Sequence, residues 1–446
     1  MSEVKRKVIR TSILLLALLA PFLIWRLALR FDVHHQLAKV RAAGLPANLK
    51  ELDKWYPAVP EEQNAALLVT KAMDLYVLTN RGIVIGKFKL PPRGEKLSPA
   101  KKEYWREQVS LDSKALAKVD EALRLPGSRY PIDLSMGLAT RLPHLSYLKS
   151  FGLLYQCQAV LAMEAGDYET ASSNIIKILL LAGTLNKEPV LISQLVRLKI
   201  VDFAIEALER RIDSAPMNAS EITNLVSAFE RTADASDQFA IALIGERANL
   251  ATLFFVTDAE AARMLSPPPD EIARRSFPHH RSIALSIAGF YDLDLGFFLN
   301  SMEKGIEAAK QSAPAMLRIG GYFSKAGDKA QSRYYMVSPL LSAYGGAVTR
   351  PAEGDAKLQL VRTALGVEQF RNEYGRLPEK ITDLDLNLLP FAMDPFDGEL
   401  LRYKRMETGY LLYSVGRDRH DNGGKAKPEG KHSANAEHDI PFTVMR

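Results

Sequence analysis

The sequence has 446 residues, of which 47% are hydrophobic and 25% are charged, so the chain can bury a large core and divide into two or three domains. Its 58 basic residues stand against 52 acidic ones, and no lysine- and arginine-rich block alternates with aromatic side chains, which argues against nucleic acid as a partner. Cys157 is the only cysteine, which excludes an intrachain disulfide and a cysteine-based metal cluster.

The first 33 residues have the pattern of a transmembrane signal anchor. Ile13–Trp25 contains no charged residue, and the apolar character continues past Arg26 to Leu29. This core is shorter than the roughly 20 residues that a spanning helix needs. The long side chain of Arg26 can place its charge at the membrane interface, and Trp25 is a residue type favoured at that interface. Basic residues precede it, namely Lys5, Arg6, Lys7 and Arg10. We therefore predict a cytoplasmic tip and one membrane span within residues 1–33.

Two alternatives compete with this anchor. A cleaved signal peptide needs small residues before its cleavage point, and the only candidate, Ala20, is followed by Pro21. A buried helix of a soluble domain is the other alternative. The basic cluster before the span favours a cytoplasmic N-terminus, although basic residues also follow the span. The prediction is a single-pass protein of the bacterial inner membrane with most of the chain in the periplasm.

The middle of the chain is predicted to be helical. Residues 34–145 begin with a linker interrupted by glycine and proline and continue into a first helical part. Residues 146–350 are predicted to form a helical array. Within it, the string from Ala162 to Ala171 resembles the turn of a tetratricopeptide repeat, with Gly166 permitting the tight reversal between two antiparallel helices. No regular 34-residue period accompanies this string, so the prediction is a general helical array and not a true repeat domain.

Further helices are predicted in residues 146–350. They cover Pro189–Arg211, Ser220–Thr232 with Ser220 as the N-cap, and Ile283–Leu299. The last of these is apolar but contains Asp292 and Asp294, which would be costly in lipid. It is therefore predicted to be a core or groove helix instead of a second span.

Residues 351–446 are predicted to form a small α+β domain, a helix packed on an antiparallel hairpin. The apolar face of the helix comprises Leu360, Ala364, Val367, Phe370 and Tyr374. Gly375 ends the helix, and Pro378 prevents it from resuming. Aromatic and branched residues over Leu400–Met406 and Tyr410–Val415 predict the two strands. The whole chain is thus expected to be mainly α.

The same tail resembles the C-terminal half of the major pseudopilin of bacterial type II secretion systems. The resemblance covers roughly the last fifth of the chain. It lies in Phe370-Arg371, Gly375-Arg376-Leu377-Pro378, Asp394-Pro395-Phe396, Tyr403, Tyr413-Ser414-Val415-Gly416-Arg417-Asp418 and Gly423-Gly424. The N-terminus lacks the glycine and glutamate that a prepilin places around its cleavage point, so the chain is not predicted to be a pilus subunit.

The resemblance implies a structural calcium ion in the loop after Ser414-Val415-Gly416, where Asp418 matches a carboxylate ligand. Asp418, Asp421 and Asn422, with nearby carbonyl groups, are oxygen ligands of the kind that calcium prefers. The alternative is a solvated glycine-rich turn without metal. A third interpretation treats the tail as a calcium-stabilised lock without an activity of its own.

These features predict a membrane-anchored envelope protein that acts as an interaction scaffold, with a role in secretion or envelope assembly and other envelope proteins as partners. The alternative is a membrane-tethered hydrolase that uses carboxylates in a helical cleft, such as Glu246 with Asp292 or Asp294. No phosphate-binding loop, dinucleotide-binding glycine motif or Gly-x-Ser-x-Gly elbow occurs in the sequence. A pocket that brings the carboxylates together would favour the hydrolase, and an apolar groove would favour the scaffold.

Overall fold

The computed structural model describes residues 3–77, 88–233, 237–255, 283–310, 321–328, 337–385, 392–426 and 438–446. In these ranges the chain is mainly helical and ends in a small antiparallel sheet, which confirms the predicted class. The helices are α1 (Glu3–Ala42), α2 (Leu49–Trp55), α3 (Ala65–Leu75), α4 (Pro99–Leu111), α5 (Ser113–Ala122), α6 (His144–Glu164), α7 (Tyr168–Gly183), α8 (Leu191–Ser214), α9 (Ala219–Ala233), α10 (Asp237–Leu253), α11 (Ile283–Ala288), α12 (Phe290–Ala309) and α13 (Val337–Tyr374).

Helix α1 contains the predicted membrane span in its first part and continues well beyond it to Ala42. The side chains at 14–16 and 18, inside that span, lie outside those that the structure describes. Across the described residues, no helix is both long enough and apolar enough to cross a membrane.

The predicted helix pair around Gly166 is present as α6 and α7. Gly166 takes a positive φ of 79°, which a residue with a side chain adopts only at a cost. The carboxylate of Asp167 then accepts a hydrogen bond from the backbone N–H of Thr170 at 3.0 Å and caps α7. The pair packs against α8 and α9 and forms the centre of the body.

Two details of the predicted helices were wrong. Ser220 lies inside α9, and the cap is supplied by Asn218, whose side chain accepts a hydrogen bond from the Glu221 N–H at 2.8 Å. The predicted helix Ile283–Leu299 is two helices, because Gly289 adopts a φ of 84° between α11 and α12. A side chain at Gly289 would overlap the guanidinium of Arg26, so a packing contact with α1 determines the break.

The tail contains the predicted hairpin and one strand more than predicted. Strands β1 (Arg402–Arg405), β2 (Tyr410–Ser414) and β3 (Ile440–Val444) form an antiparallel sheet in the order β1-β2-β3. Strand β3 pairs with β2 from Tyr410 opposite Val444 to Ser414 opposite Ile440. Its five residues, Ile440-Pro441-Phe442-Thr443-Val444, do alternate, but the run is short and contains a proline, which counts against a strand in a sequence pattern.

Most of the predicted apolar face of the tail helix is buried. Leu360, Ala364, Val367 and Phe370 lie in the core, but Tyr374 was wrongly placed there and is 61% exposed. The Tyr374 ring packs on the Phe370 ring from outside, at a centroid distance of 4.4 Å.

Helix α13 joins the tail to the helical body. It begins at Val337, so the domain boundary predicted between residues 350 and 351 lies inside it. One continuous apolar core contains residues of α3 to α9, α13 and the sheet, from Ala65 to Val444. The tail therefore shares its core with the helical array.

Candidate functional site

The predicted calcium loop brings two of its three residues together. The Asn422 side-chain amide donates a hydrogen bond to Asp418 Oδ2 at 3.0 Å, and the backbone N–H of His420 donates to Asp418 Oδ1 at 3.1 Å. Both residues are thus on the same side of one tight turn. The amide nitrogen of Asn422 faces the Asp418 carboxylate, so calcium binding would require its side chain to turn its oxygen inward.

Asp421, the third predicted ligand, has other partners. Its Oδ1 accepts hydrogen bonds from the hydroxyl of Tyr413 and the backbone N–H of Gly423, both at 2.9 Å. The hydrogen bond from Gly423 lowers the pKa of the Asp421 carboxyl. The three predicted ligands therefore do not share one centre.

A fourth residue, Asp439, organises this loop and was missed by the sequence analysis. Its carboxylate, 1% exposed, accepts hydrogen bonds from the backbone N–H groups of Asn422 at 3.2 Å and Gly424 at 2.6 Å. Asp439 directly precedes β3, so recognising it required that strand. Over the described ranges, no three or more carboxylate, imidazole or thiol side chains form a group able to hold a metal ion.

The carboxylates of the hydrolase alternative lie in different places. Glu246 on α10 accepts hydrogen bonds from the Leu191 N–H at 3.1 Å and the Tyr344 hydroxyl at 2.9 Å, and burial raises its pKa. Asp292 on α12 instead pairs with Arg26 of α1 at 2.5 Å. Asp294, on the same helix, is 1% exposed. Glu246 and Asp292 therefore contribute to two separate clefts.

The cleft beside Glu246 has a volume of about 320 Å³ and is mainly apolar. It lies between the segment 134–142, the start of α8 and the middle of α10, and Leu138 and Ile192 are exposed at it. The carbonyl of Pro189 packs directly on Gly245, where a side chain would overlap it. The Oδ1 atom of Asn249, another lining residue, is buried without a hydrogen-bond partner. The cleft offers an apolar surface with a few polar groups, as ligand pockets commonly do.

A wholly buried polar cluster is formed by residues that are neighbours in the chain of those lining this cleft. Nε2 of His144 is 3.0 Å and 3.1 Å from the two carboxylate oxygens of Glu188, and the Ser193 hydroxyl donates to Glu188 at 2.5 Å. The Tyr130 ring stacks on His144 at a centroid distance of 4.1 Å. None of these side chains is accessible to a substrate, since His144 is 3% exposed and Glu188 and Ser193 are 0% exposed. The cluster joins the start of α6 to the segment that enters α8.

The junction of α1 with α12 is the second cleft region. Arg26 pairs with Asp292, and further along both helices Asp32 lies against Gly296, where a Cβ would be 3.3 Å from Asp32 Oδ2. The two helices therefore run parallel. A cleft of about 520 Å³ beside them is lined by residues of both charges, including Asp32, Asp292, Lys304 and Lys325.

The part of α1 from Ile13 to Phe31 has a large apolar surface that the rest of the described chain leaves exposed. The exposed fractions range from 50% to 73% for Ile13, Leu19, Leu23, Ile24, Leu27 and Phe31. At roughly 100° per residue these positions lie within an arc of about 140°, roughly two fifths of the helix circumference. The remaining face is the one that carries Arg26 and Val33 against α12.

Comparisons with protein-family models, with curated proteins and with solved structures found no match. The functional argument therefore depends on the geometry of this chain.

Proposed function

We propose that this chain is a single-pass protein of the bacterial inner membrane whose helical body, in the periplasm, is an interaction scaffold for other envelope proteins. The observation that carries the proposal is the exposed apolar face of α1 between Ile13 and Phe31. Soluble monomers rarely expose an apolar surface of this extent, whereas a bilayer would cover it. The basic residues before it favour a cytoplasmic N-terminus.

The clefts support a scaffold better than a hydrolase. Glu246 is held by Tyr344 and by the start of α8, while Asp292 is engaged by Arg26. Paired acid-base catalysis needs two carboxyl groups that face one substrate, and these two do not share a cleft. The apolar cleft with Leu138 and Ile192 exposed suits an apolar side chain of a partner protein.

The resemblance of the tail to the major pseudopilin supports a role in secretion or envelope assembly. We further propose that calcium binds at the loop of Asp418, Asp421 and Asn422. Binding would use the Asp418 carboxylate, the side-chain oxygen of Asn422 and backbone carbonyl groups. Asp421 would give up the hydrogen bond that it accepts from the Tyr413 hydroxyl and bind the ion instead.

Membrane extraction tests the anchor. In bacterial cells that produce the full chain, the protein should stay with the membranes through an alkaline carbonate wash. Replacing both Leu19 and Leu23 by arginine should release it, because two charges in the span are costly. The matched control carries arginine at Leu138 and Ile192, which are similarly exposed on the body. Release of the unmodified chain, or equal release of the two double variants, would refute the anchor.

Site-specific photocrosslinking in the same cells tests the scaffold. A photoreactive residue at Ile192 should give a discrete adduct with an envelope protein, and Leu138→Glu should abolish it. The same probe at Tyr374, which is also exposed but lies away from the cleft lining, serves as the control. An adduct pattern that is the same at both positions would contradict the cleft as the binding surface.

A further inference from the structure

We propose that the junction of α11 and α12 is a second membrane contact, which lies in the periplasmic interface of the bilayer beside α1. This junction, here called the elbow, comprises Ile287, Gly289 and Phe290. The inference rests on the proposed function, because it takes the first part of α1 to be in the membrane.

The position of the elbow relative to α1 follows from two contacts. Gly289 packs against the guanidinium of Arg26. The guanidinium leaves no room for a side chain at position 289. Three residues later, Asp292 forms its 2.5 Å ion pair with the same Arg26. The elbow is therefore level with Arg26, within the apolar segment that ends at Leu29.

The direction of α12 takes that helix away from the lipid. Since α1 and α12 run parallel, the chain after Asp292 accompanies α1 toward Asp32 and Val33, beyond the apolar segment. The elbow comes before Asp292 in the chain, so it lies at the end of this helix pair that faces the bilayer. Phe290 is thus at the end of α12 that is nearest to the membrane.

The chemistry of the elbow fits an interface. Ile287 is 62% exposed and Phe290 is 40% exposed, and Trp25 at the same level of α1 is also 40% exposed. Aromatic and aliphatic side chains at this depth are favoured where hydrocarbon meets the headgroups. The apolar surface of the elbow thus continues that of α1, and one bilayer can cover both.

The ion pair explains how a charged residue is accommodated there. Arg26 interrupts an apolar segment, and an isolated arginine near hydrocarbon is costly. Its side chain is 13% exposed and that of Asp292 is 26% exposed, so the body supplies a counter-charge at the point where α1 leaves the membrane. With the elbow in the interface, α1 cannot rotate about its axis independently of the body.

Spin-label accessibility on the full chain tests this inference. The native thiol of Cys157 is 1% exposed, and burial raises its pKa, so it should resist labelling. Nitroxide labels are attached separately to the variants Ile287→Cys and Phe290→Cys. Leu23→Cys on α1 and Ile192→Cys on the body are matched controls, since both positions are at least half exposed. The proteins are reconstituted into vesicles of phosphatidylethanolamine and phosphatidylglycerol, and relaxation by oxygen is compared with relaxation by a water-soluble nickel chelate.

If the elbow is in the interface, the ratio of oxygen to nickel accessibility at positions 287 and 290 should exceed that at 192 severalfold and approach that at 23. If position 23 contacts lipid while 287 and 290 match 192, the elbow proposal is overturned and the anchor remains. If position 23 also matches 192, both proposals are overturned. Phe290→Asp gives a second readout, because it should raise nickel accessibility at position 287 while α1 keeps the protein in the vesicles.

Discussion

The carboxylate of Asp394 accepts a hydrogen bond from the backbone N–H of Val415 at 2.8 Å. The same side chain, 0% exposed, also accepts from the Ser414 hydroxyl at 2.8 Å and the Phe396 N–H at 3.0 Å, and it pairs with Arg402 at 3.1 Å. Asp394-Pro395-Phe396 and Ser414-Val415-Gly416 are two of the strings on which the pseudopilin resemblance depends. In the fold, these two strings are joined by hydrogen bonds from Ser414 and Val415 to Asp394.

Replacing Asp394 by alanine should therefore lower the free energy of unfolding by about 3 kcal/mol, because it leaves the buried donors of Phe396, Ser414 and Val415 without their acceptor. Urea unfolding of the full chain in detergent measures the change. Asp397→Ala is the matched control: Asp397 also pairs with Arg402 but is partly exposed, so we expect a loss below about 1 kcal/mol. Equal losses in the two variants would show that burial of Asp394 contributes nothing.

Removing the carboxylate of the buried polar cluster should be at least as costly. Glu188→Ala leaves His144 and Ser193 buried without their shared partner, and we expect a loss of about 3–5 kcal/mol. Glu121→Ala, which breaks a surface pair with Lys118, should cost less than about 0.5 kcal/mol. Chemical unfolding compares them. A small loss for Glu188→Ala would mean that the cluster is open to water.

Glycine 245 should be intolerant of a methyl group although it lies in a helix. Alanine normally favours a helix over glycine by about 1 kcal/mol, but here its Cβ would overlap the carbonyl of Pro189. We expect Gly245→Ala to destabilise the protein by about 1–3 kcal/mol. Gly183→Ala should be neutral or stabilising, because its nearest neighbour, the Asn186 amide, would be 3.9 Å from the new Cβ. Thermal unfolding midpoints that move in the same direction would contradict this account.

Asp355 should make stability depend on pH. Burial raises the pKa of its carboxyl to about 6 from the ordinary 3.8, against the opposing effect of Arg362 and Arg197. Between these values the folded state holds a proton that the unfolded state has lost, so the free energy of unfolding should fall as pH rises from about 4 to 6 and then level off. Urea titrations across this range should show a shallower fall in Asp355→Asn than in the unmodified chain. Parallel curves would assign the pH dependence to other groups.

If calcium binds the loop, it should raise the unfolding midpoint of the full chain. Ligand at a hundredfold excess over its dissociation constant stabilises a protein by about 2.7 kcal/mol. Asp418→Asn should abolish the shift, and magnesium, which prefers smaller octahedral sites, should not reproduce it. Scanning calorimetry with calcium, magnesium and chelator gives the comparison. A midpoint insensitive to calcium would leave Asp439 as the residue that orders the loop.

The sequence by itself determined the local features of this protein. Apolar spacing predicted the helix that buries Leu360 and Val367, and glycine with a positive φ marked the turn at Gly166. The hairpin of β1 and β2 followed from its aromatic and branched residues. These features depend on residues that are near one another in the chain, where spacing and backbone preference are sufficient.

Only the tertiary structure decided the features that join distant segments. The break at Gly289 depends on Arg26, the partner of Asp292 lies 266 positions away, and β3 becomes a strand by pairing with β2. Asp439 and the cluster of His144 with Glu188 likewise acquire their roles from contacts across the fold. A buried carboxylate needs a donor or a counter-charge, but which residue supplies it is decided when the helices pack, and no local pattern records that choice.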